Sequence, residues 1–280
     1  MRIIDTNTLI PVIRDLLMKS CFEIDESIIN AYKNAYEIEE SPIGKEIMKT
    51  LIENAEYAKK EQIACCQDTG AAIIYLEIGQ EVGWSGASLT EAINEGVRQG
   101  YQDGYLRKSI VGDPLLRVNT NDNTPAMIHT EITCGDKVKV TVLPKGAGSE
   151  NMSRYTMLTP AHGASGVKDF VLETVRLAGG KPCPPLIIGV GIGGTMDKIT
   201  WISKKALLRP LGDRSVHPHI AEMEKELLIE INKTGIGPLG VGGRVTALEV
   251  FIEVFGCHIA SLPVSVSIQC HASRHASAVI

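Results

Sequence analysis

The sequence is poor in aromatic residues, with four Phe, two Trp and seven Tyr in 280 residues. It has no basic excess either: 28 Lys and Arg face 33 Asp and Glu, a formal net charge of −5. Nucleic-acid binding draws on a basic patch that neutralises phosphates, so both shortages argue against that class of function. No apolar run approaches the roughly 18 residues that a membrane-spanning helix needs. Charged residues at 22% and hydrophobic residues at 44% leave no room for a largely disordered chain. The opening MRIIDTNTLI lacks the apolar core of a signal peptide, and a cytoplasmic location is expected. There is no Cys-x-x-Cys pair, which excludes structural zinc of the finger or ribbon type. Seven cysteines, an odd number in a chain with no secretory signal, argue against a disulfide framework.

What is present reads as one α+β domain spanning 1–280, with mostly antiparallel strands and glycine-rich loops. Residues 1–62 have the texture of a helical scaffold, with Ile47, Met48, Leu51, Ile52, Ala55 and Ala58 at helical spacing. The apolar run 71–79 predicts a strand. Ser88-Leu89-Thr90-Glu91 has the form of a capping box and opens a helix carrying Ile93, Val97, Tyr101 and Tyr105. Residues 106–125 are polar and irregular. Met127–Thr133 and Lys137–Leu143 alternate across Cys134-Gly135-Asp136, a hairpin signal. A helix marked by Val167, Phe170, Val171, Thr174, Val175 and Ala178 stops at Gly179-Gly180. Further helices are expected at 196–208 and 219–233, and strands after Cys183-Pro184-Pro185, at 245–254 and at 258–268. No repeat, linker or low-complexity tract interrupts the chain.

Glycine is abundant, with 27 residues gathered mainly beyond residue 69. Three polar glycine-rich loops suit either tight turns or a site lined by backbone amides. Gly189-Val190-Gly191-Ile192-Gly193-Gly194 formally matches the dinucleotide fingerprint. Its context does not: a double proline precedes the strand, and only 86 residues follow Gly194, too few for the rest of a doubly wound sheet. No Gly-Lys-Ser/Thr closes any loop, so a phosphate loop is excluded. Cys66, Cys183 and Cys270 each lie at a junction of strand and loop. They suit small buried thiols, or ligands that converge on one soft centre from distant points of the chain. Three sulfurs match a [4Fe–4S] cluster with one iron left open.

ACCQDTG, LRKSIVGDPL, NTNDNTPA, PKGAGSENMSR, CPPLIIGVGIGGT, KKALLRPLG, GIGPLGVGG and HIASLPVSVSIQCHASR follow one another in the chain. Together they resemble the class I (iron–sulfur) fumarate hydratases, and more closely the α-subunit of the two-subunit form. The L(+)-tartrate dehydratase α-subunit is a close relative in that family. The resemblance runs from about residue 40 to the end of the sequence. It implies a [4Fe–4S] cluster held by Cys66, Cys183 and Cys270, with one open iron acting as a Lewis acid, and with Cys65 outside the ligand set. It implies that Gln67 and Asp68 reach the substrate or the open iron. Arg107 would clamp a substrate carboxylate, Gly148 would offer a backbone contact, and His258 would hydrogen-bond the dicarboxylate. The reaction implied is the interconversion of fumarate and (S)-malate, or the dehydration of L(+)-tartrate to oxaloacetate. Ten residues follow Cys270, and the smaller mobile domain with the proton-transfer residues is expected on a separate β-subunit, in an α2β2-like hetero-oligomer. Where the family pattern has His-Gly-Ala-Ser, this chain has His258-Ile259-Ala260-Ser261.

Overall fold

A computed structural model describes every residue, Met1–Ile280. The first elements are β1 (Arg2–Asp5), α1 (Leu9–Phe22), α2 (Glu26–Ile38), α3 (Pro42–Glu61), β2 (Ala71–Gly79), β3 (Val82–Ser85) and α4 (Leu89–Asp103). Then come β4 (Met127–Thr133), β5 (Val138–Lys145), α5 (Ala147–Glu150), β6 (Arg154–Leu158), α6 (Gly163–Ala178) and β7 (Leu186–Ile192). The chain continues through α7 (Met196–Ala206), α8 (Pro218–Asn232), β8 (Ala247–Val254), β9 (Leu262–Gln269) and β10 (Ala276–Val279). The class is α+β with mixed sheets, and four of the seven strand pairings are antiparallel. No helix is long and apolar enough to cross a membrane. By contacts the chain divides into two units, each built from separated stretches.

The first unit comprises Met1–Ile24, Asn54–Ala147 and Arg274–Ile280. Its main sheet has the order β10-β5-β2-β4. Leu9, Ile13 and Leu17 of α1 and Ile93, Val97 and Tyr101 of α4 pack with Ile74 and Leu76 of β2 and Val140 and Val142 of β5. The expected hairpin is not there. β4 lies parallel to β2 on one side, and β5 antiparallel to it on the other. The strand AAIIYLEIG is apolar on both faces and buried along most of its length, so it takes the central position and a neighbour on each edge. The Cys134–Asp136 turn passes over the end of that strand. Gly79 N donates to Lys137 O at 2.8 Å and Glu81 N to Gly135 O at 3.0 Å. Residues 1–62 are helical except for β1, which pairs with β3. Ser88 does precede α4, but its side chain makes no capping hydrogen bond.

The second unit comprises Asp25–Glu53 and Gly148–Ser273, with a sheet of order β6-β9-β7-β8. Val167, Val171 and Val175 of α6 and Ile220, Leu227 and Ile231 of α8 bury one face against Ile188, Val250 and Val266. On α7, Ala206 packs with Ile187 and Phe251 in a smaller cluster. The glycines of β7 are seats for α7: a Cβ on Gly189 would stand 2.1 Å from Ser203 O, and one on Gly191 2.4 Å from Ile199 O. β7 pairs parallel with β8 and antiparallel with β9. The fingerprint-like glycines thus serve helix packing within a mixed sheet, and the dinucleotide reading is set aside. His258 stands outside the strand expected at 258–268. β9 begins at Leu262, and His258–Ser261 is a turn closed by Ser261 N donating to His258 O at 2.9 Å.

Candidate active site

In the first unit the segment Cys65–Gly70 enters β2 through a dense set of hydrogen bonds. Cys65 N donates to Cys21 O at 3.0 Å, and Asn54 Nδ2 to Cys65 O at 2.8 Å. Cys65–Gln67 form a bend, and within it Cys65 is buried whereas Cys66 is half-buried. Gln67 is exposed. Asp68 holds the turn with its carboxylate: Oδ1 accepts from Gly70 N at 3.0 Å and Oδ2 from Ala147 N at 2.9 Å. Gly70 has φ +75°, and a Cβ there would lie 2.6 Å from the Lys145 carbonyl carbon, so only glycine fits.

Arg107 is tied to the same turn by its backbone. Thr69 Oγ1 donates to Arg107 O at 3.0 Å. Asn123, fully buried, accepts from Ser109 N at 2.7 Å and donates to Gly70 O at 3.2 Å. The Arg107 side chain remains exposed on this pinned segment. Beneath it, the Tyr101 hydroxyl lies 2.9 Å from Thr69 O and 2.8 Å from Gly70 O. Burial drives the Tyr101 hydroxyl well above its usual pKa and pushes the Cys21 thiol up. Both are core groups. Asp122 neighbours Asn123. Burial works to raise its pKa, but bonds from the Thr124 amide and hydroxyl and from Arg98 outweigh it and hold the carboxyl at about 2. Sequence reasoning missed Asn123 and Arg274 as parts of this arrangement. Both lie inside the motifs NTNDNTPA and HASR, which were the available signal.

In the second unit Cys183 and Cys270 are brought to neighbouring backbone: His271 N donates to Cys183 O at 3.1 Å. Cys183 is exposed and adopts φ +57°, a conformation uncommon for a residue with a Cβ. Its turn is fixed by Cys183 N donating to Gly180 O at 3.0 Å and Leu239 N to Pro184 O at 2.8 Å. The motif GIGPLGVGG is the bed of this turn, because a Cβ on Gly240 would stand 2.4 Å from Gly180 Cα. Cys270 is half-buried directly after β9, and the buried Tyr32 hydroxyl donates to His271 O beside it. Gly148 is exposed, its Cβ position 3.4 Å from Lys181 O, two residues before Cys183.

His258 sits apart from Cys183 and Cys270, on the loop that follows β8. It lines a cavity of about 500 Å³ with Gly194, Thr195, Lys198, Phe255 and Cys257. Its Nδ1 accepts from Ala260 N at 3.1 Å, which leaves Nε2 as the hydrogen-bearing nitrogen of the neutral ring. Ile259, where the family pattern has glycine, has no positive φ, so the turn tolerates it. The remaining cysteines fall on both sides of the three singled out in exposure. Cys21 and Cys65 are core, while Cys134 and Cys257 are exposed. Nowhere do three His, Cys, Asp or Glu side chains close on a single metal ion. The ligands of a four-iron cluster bind separate irons and stand further apart than those of one ion. Accessible thiols on hydrogen-bonded turns are a donor set that fits such a cluster.

Each unit by itself presents accessible polar side chains on pinned turns, Cys66, Gln67 and Arg107 in the first and Cys183 and Cys270 in the second. Comparison with known proteins gives the family. The profile of the fumarate hydratase (fumerase) family matches residues 10–279, and the chain belongs to that family. It is 45% identical over 271 residues to a Methanocaldococcus jannaschii protein named "Putative L(+)-tartrate dehydratase subunit alpha", covering 95% of each chain. It is 29% identical over 278 residues to the L(+)-tartrate dehydratase subunit alpha of Escherichia coli O157:H7, covering 98% of this chain and 91% of that one.

Proposed function

We propose that this chain is the α-subunit of an iron–sulfur hydro-lyase acting on a four-carbon dicarboxylate, fumarate and (S)-malate first, in the cytoplasm. The family match over residues 10–279 carries the reading. L(+)-tartrate dehydration to oxaloacetate is the second reading, favoured by the names of the relatives. Cys66, Cys183 and Cys270 would hold a [4Fe–4S] cluster. When bound, that cluster supplies a Lewis-acidic iron that eases departure of hydroxide.

The chain's own residues bind and orient the substrate. Arg107 offers a planar fork to one carboxylate, which a bidentate pair recognises with direction as well as charge. Gln67, exposed beside Cys66, donates an amide N–H to a carboxylate or hydroxyl oxygen. Asp68 has one lone-pair site of each oxygen engaged by a backbone N–H, which fixes the carboxylate plane. Its remaining lone pairs accept from the substrate hydroxyl. Gly148 donates from its backbone, whereas His258, at the opposite end of β9 from Cys270 and in a separate cavity, is not assigned to that substrate. No residue of this chain is assigned the β-carbon proton. That step falls to a base on a separate β-subunit, in keeping with the "subunit alpha" names of the relatives.

The test is anaerobic reconstitution with iron and sulfide, followed by addition of the β-subunit and assay of fumarate, malate and L(+)-tartrate. Turnover only with both subunits is expected. A metal-loaded pair inert towards all three substrates would sink the reading. Faster turnover of L(+)-tartrate than of malate selects the second reading.

A further inference from the structure

Arg274 is 1% exposed, one of the largest side chains sealed inside the protein. A guanidinium is rarely buried without purpose, since its desolvation must be offset by hydrogen bonds and charge partners. Its Nη1 donates to Asp68 O at 2.7 Å. Its Nη2 lies 3.5 Å from the point where a Gly146 Cβ would stand, and Asp68 Oδ2 lies 3.1 Å from that same point. The guanidinium also acts on the Cys21 thiol and the Tyr101 hydroxyl beneath the turn. Three separate motifs of the first unit therefore meet on one cation: CQDTG, the start of GAGSEN and the end of HASR.

The hydrogen bonds form a chain with a direction. Arg274 fixes the carbonyl of Asp68. The Asp68 carboxylate then fixes Gly70 N and Ala147 N. The peptide so held joins Asp68 to Thr69 and directly follows Gln67. We infer that Arg274 is a positioning residue: from beneath the turn it sets the placement of Gln67 and Asp68 for the substrate, without touching the substrate itself. This rests on the hydro-lyase reading for what the turn does, but the geometry of the clamp stands without it. A lysine would keep the charge and lose the fork, whereas a glutamine keeps a donor and loses the charge.

The experiment pairs hydrogen exchange with kinetics on the full chain. Amide exchange is followed by mass spectrometry in wild type, Arg274→Gln and Arg274→Lys, before any metal or substrate is added. The same proteins are then loaded and assayed with the β-subunit. In Arg274→Gln, peptides covering 66–71 and 145–148 should exchange at least about tenfold faster, with peptides of the sheet β6-β9-β7-β8 unchanged. Its kcat should fall at least about tenfold and its KM should move less, with Arg274→Lys between the two. If Arg274→Gln fails to fold, Arg274→Lys should show the same local pattern in smaller measure. Wild-type exchange in both segments, or equal acceleration everywhere, overturns the inference, as does unaltered kcat in a folded variant. A wild-type pair without turnover sinks the hydro-lyase reading, and the exchange result then still decides whether Arg274 clamps the turn.

Discussion

Single residues show how far polar groups govern this fold. Glu39 is 2% exposed, and its carboxylate accepts from the backbone N–H groups of Glu40, Ser41, Arg244 and Val245, all at 2.9 Å. Burial alone would raise its pKa. The amides of Ser41, Arg244, Val245 and Glu40 outweigh burial and hold the carboxyl below its usual range. Glu39→Gln turns one acceptor oxygen into a donor facing N–H groups, so a loss of about 2–3 kcal/mol at neutral pH is expected. The sign of the pH dependence follows. A lowered carboxyl pKa gives stability that is complete above the unfolded value, about 4.3, and is lost as pH falls through the folded one. Denaturant unfolding at pH 7 and at successively lower pH should show the gap between wild type and variant closing in acid. A gap that stays constant would mean that the carboxylate charge is irrelevant there. Nothing local in the sequence marks Glu39, because its partners Arg244 and Val245 lie some two hundred positions away. The contrast between Cys65 and Cys66 was legible, since adjacent side chains leave the backbone in different directions, although a bend and not a strand carries them. Arg274 and Asn123 read as ordinary motif letters, because their worth comes from burial that only tertiary structure creates.

At the scale of elements, periodicity located what it could. The helices α4, α6, α7 and α8 and the strands β2 and β7 lie where apolar spacing places them. The failures share one cause. Strands β1 and β10 have four residues each and exist only through pairing with β3 and β5, which local spacing does not report. The 127–143 segment carries a turn between two alternating runs, but the two-sided burial of β2 claims both of them. The glycines of β7 were ambiguous for a related reason, as a seat for a helix and a seat for a phosphate ask for the same missing Cβ. They can be told apart by experiment. Gly189→Ala places a methyl 2.1 Å from Ser203 O, a backbone atom of α7 that cannot swing aside. Overpacking of this kind costs about 1–3 kcal/mol. Urea unfolding should show a lowered midpoint with little change in slope. A variant as stable as wild type would return these glycines to a binding role.

At the scale of the molecule, each unit is assembled from stretches far apart in sequence, with no linker composition to announce it. That discontinuity is why the chain reads as one uninterrupted domain. It also distributes the cysteines: Cys66 belongs to the first unit, and Cys183 and Cys270 to the second. A cofactor held by residues so distant in sequence binds the folded chain and not the unfolded one, so loading it must raise stability. Cys183→Ala removes an exposed thiol from a hydrogen-bonded turn, whereas Cys65→Ala removes a buried one next to a proposed ligand. After anaerobic reconstitution, wild type and Cys65→Ala should each hold about four irons and unfold at a higher temperature than their iron-free forms. Cys65→Ala starts from a lower baseline, because it leaves a small cavity. Cys183→Ala should gain neither iron nor thermal stability, while its iron-free form melts close to wild type. The two readouts separate a ligand from a packing residue: a ligand costs the increment on loading, and a core thiol costs the baseline. Equal loss of iron in both variants would show that position in the family motif, and not accessibility of the thiol, misassigned the ligands.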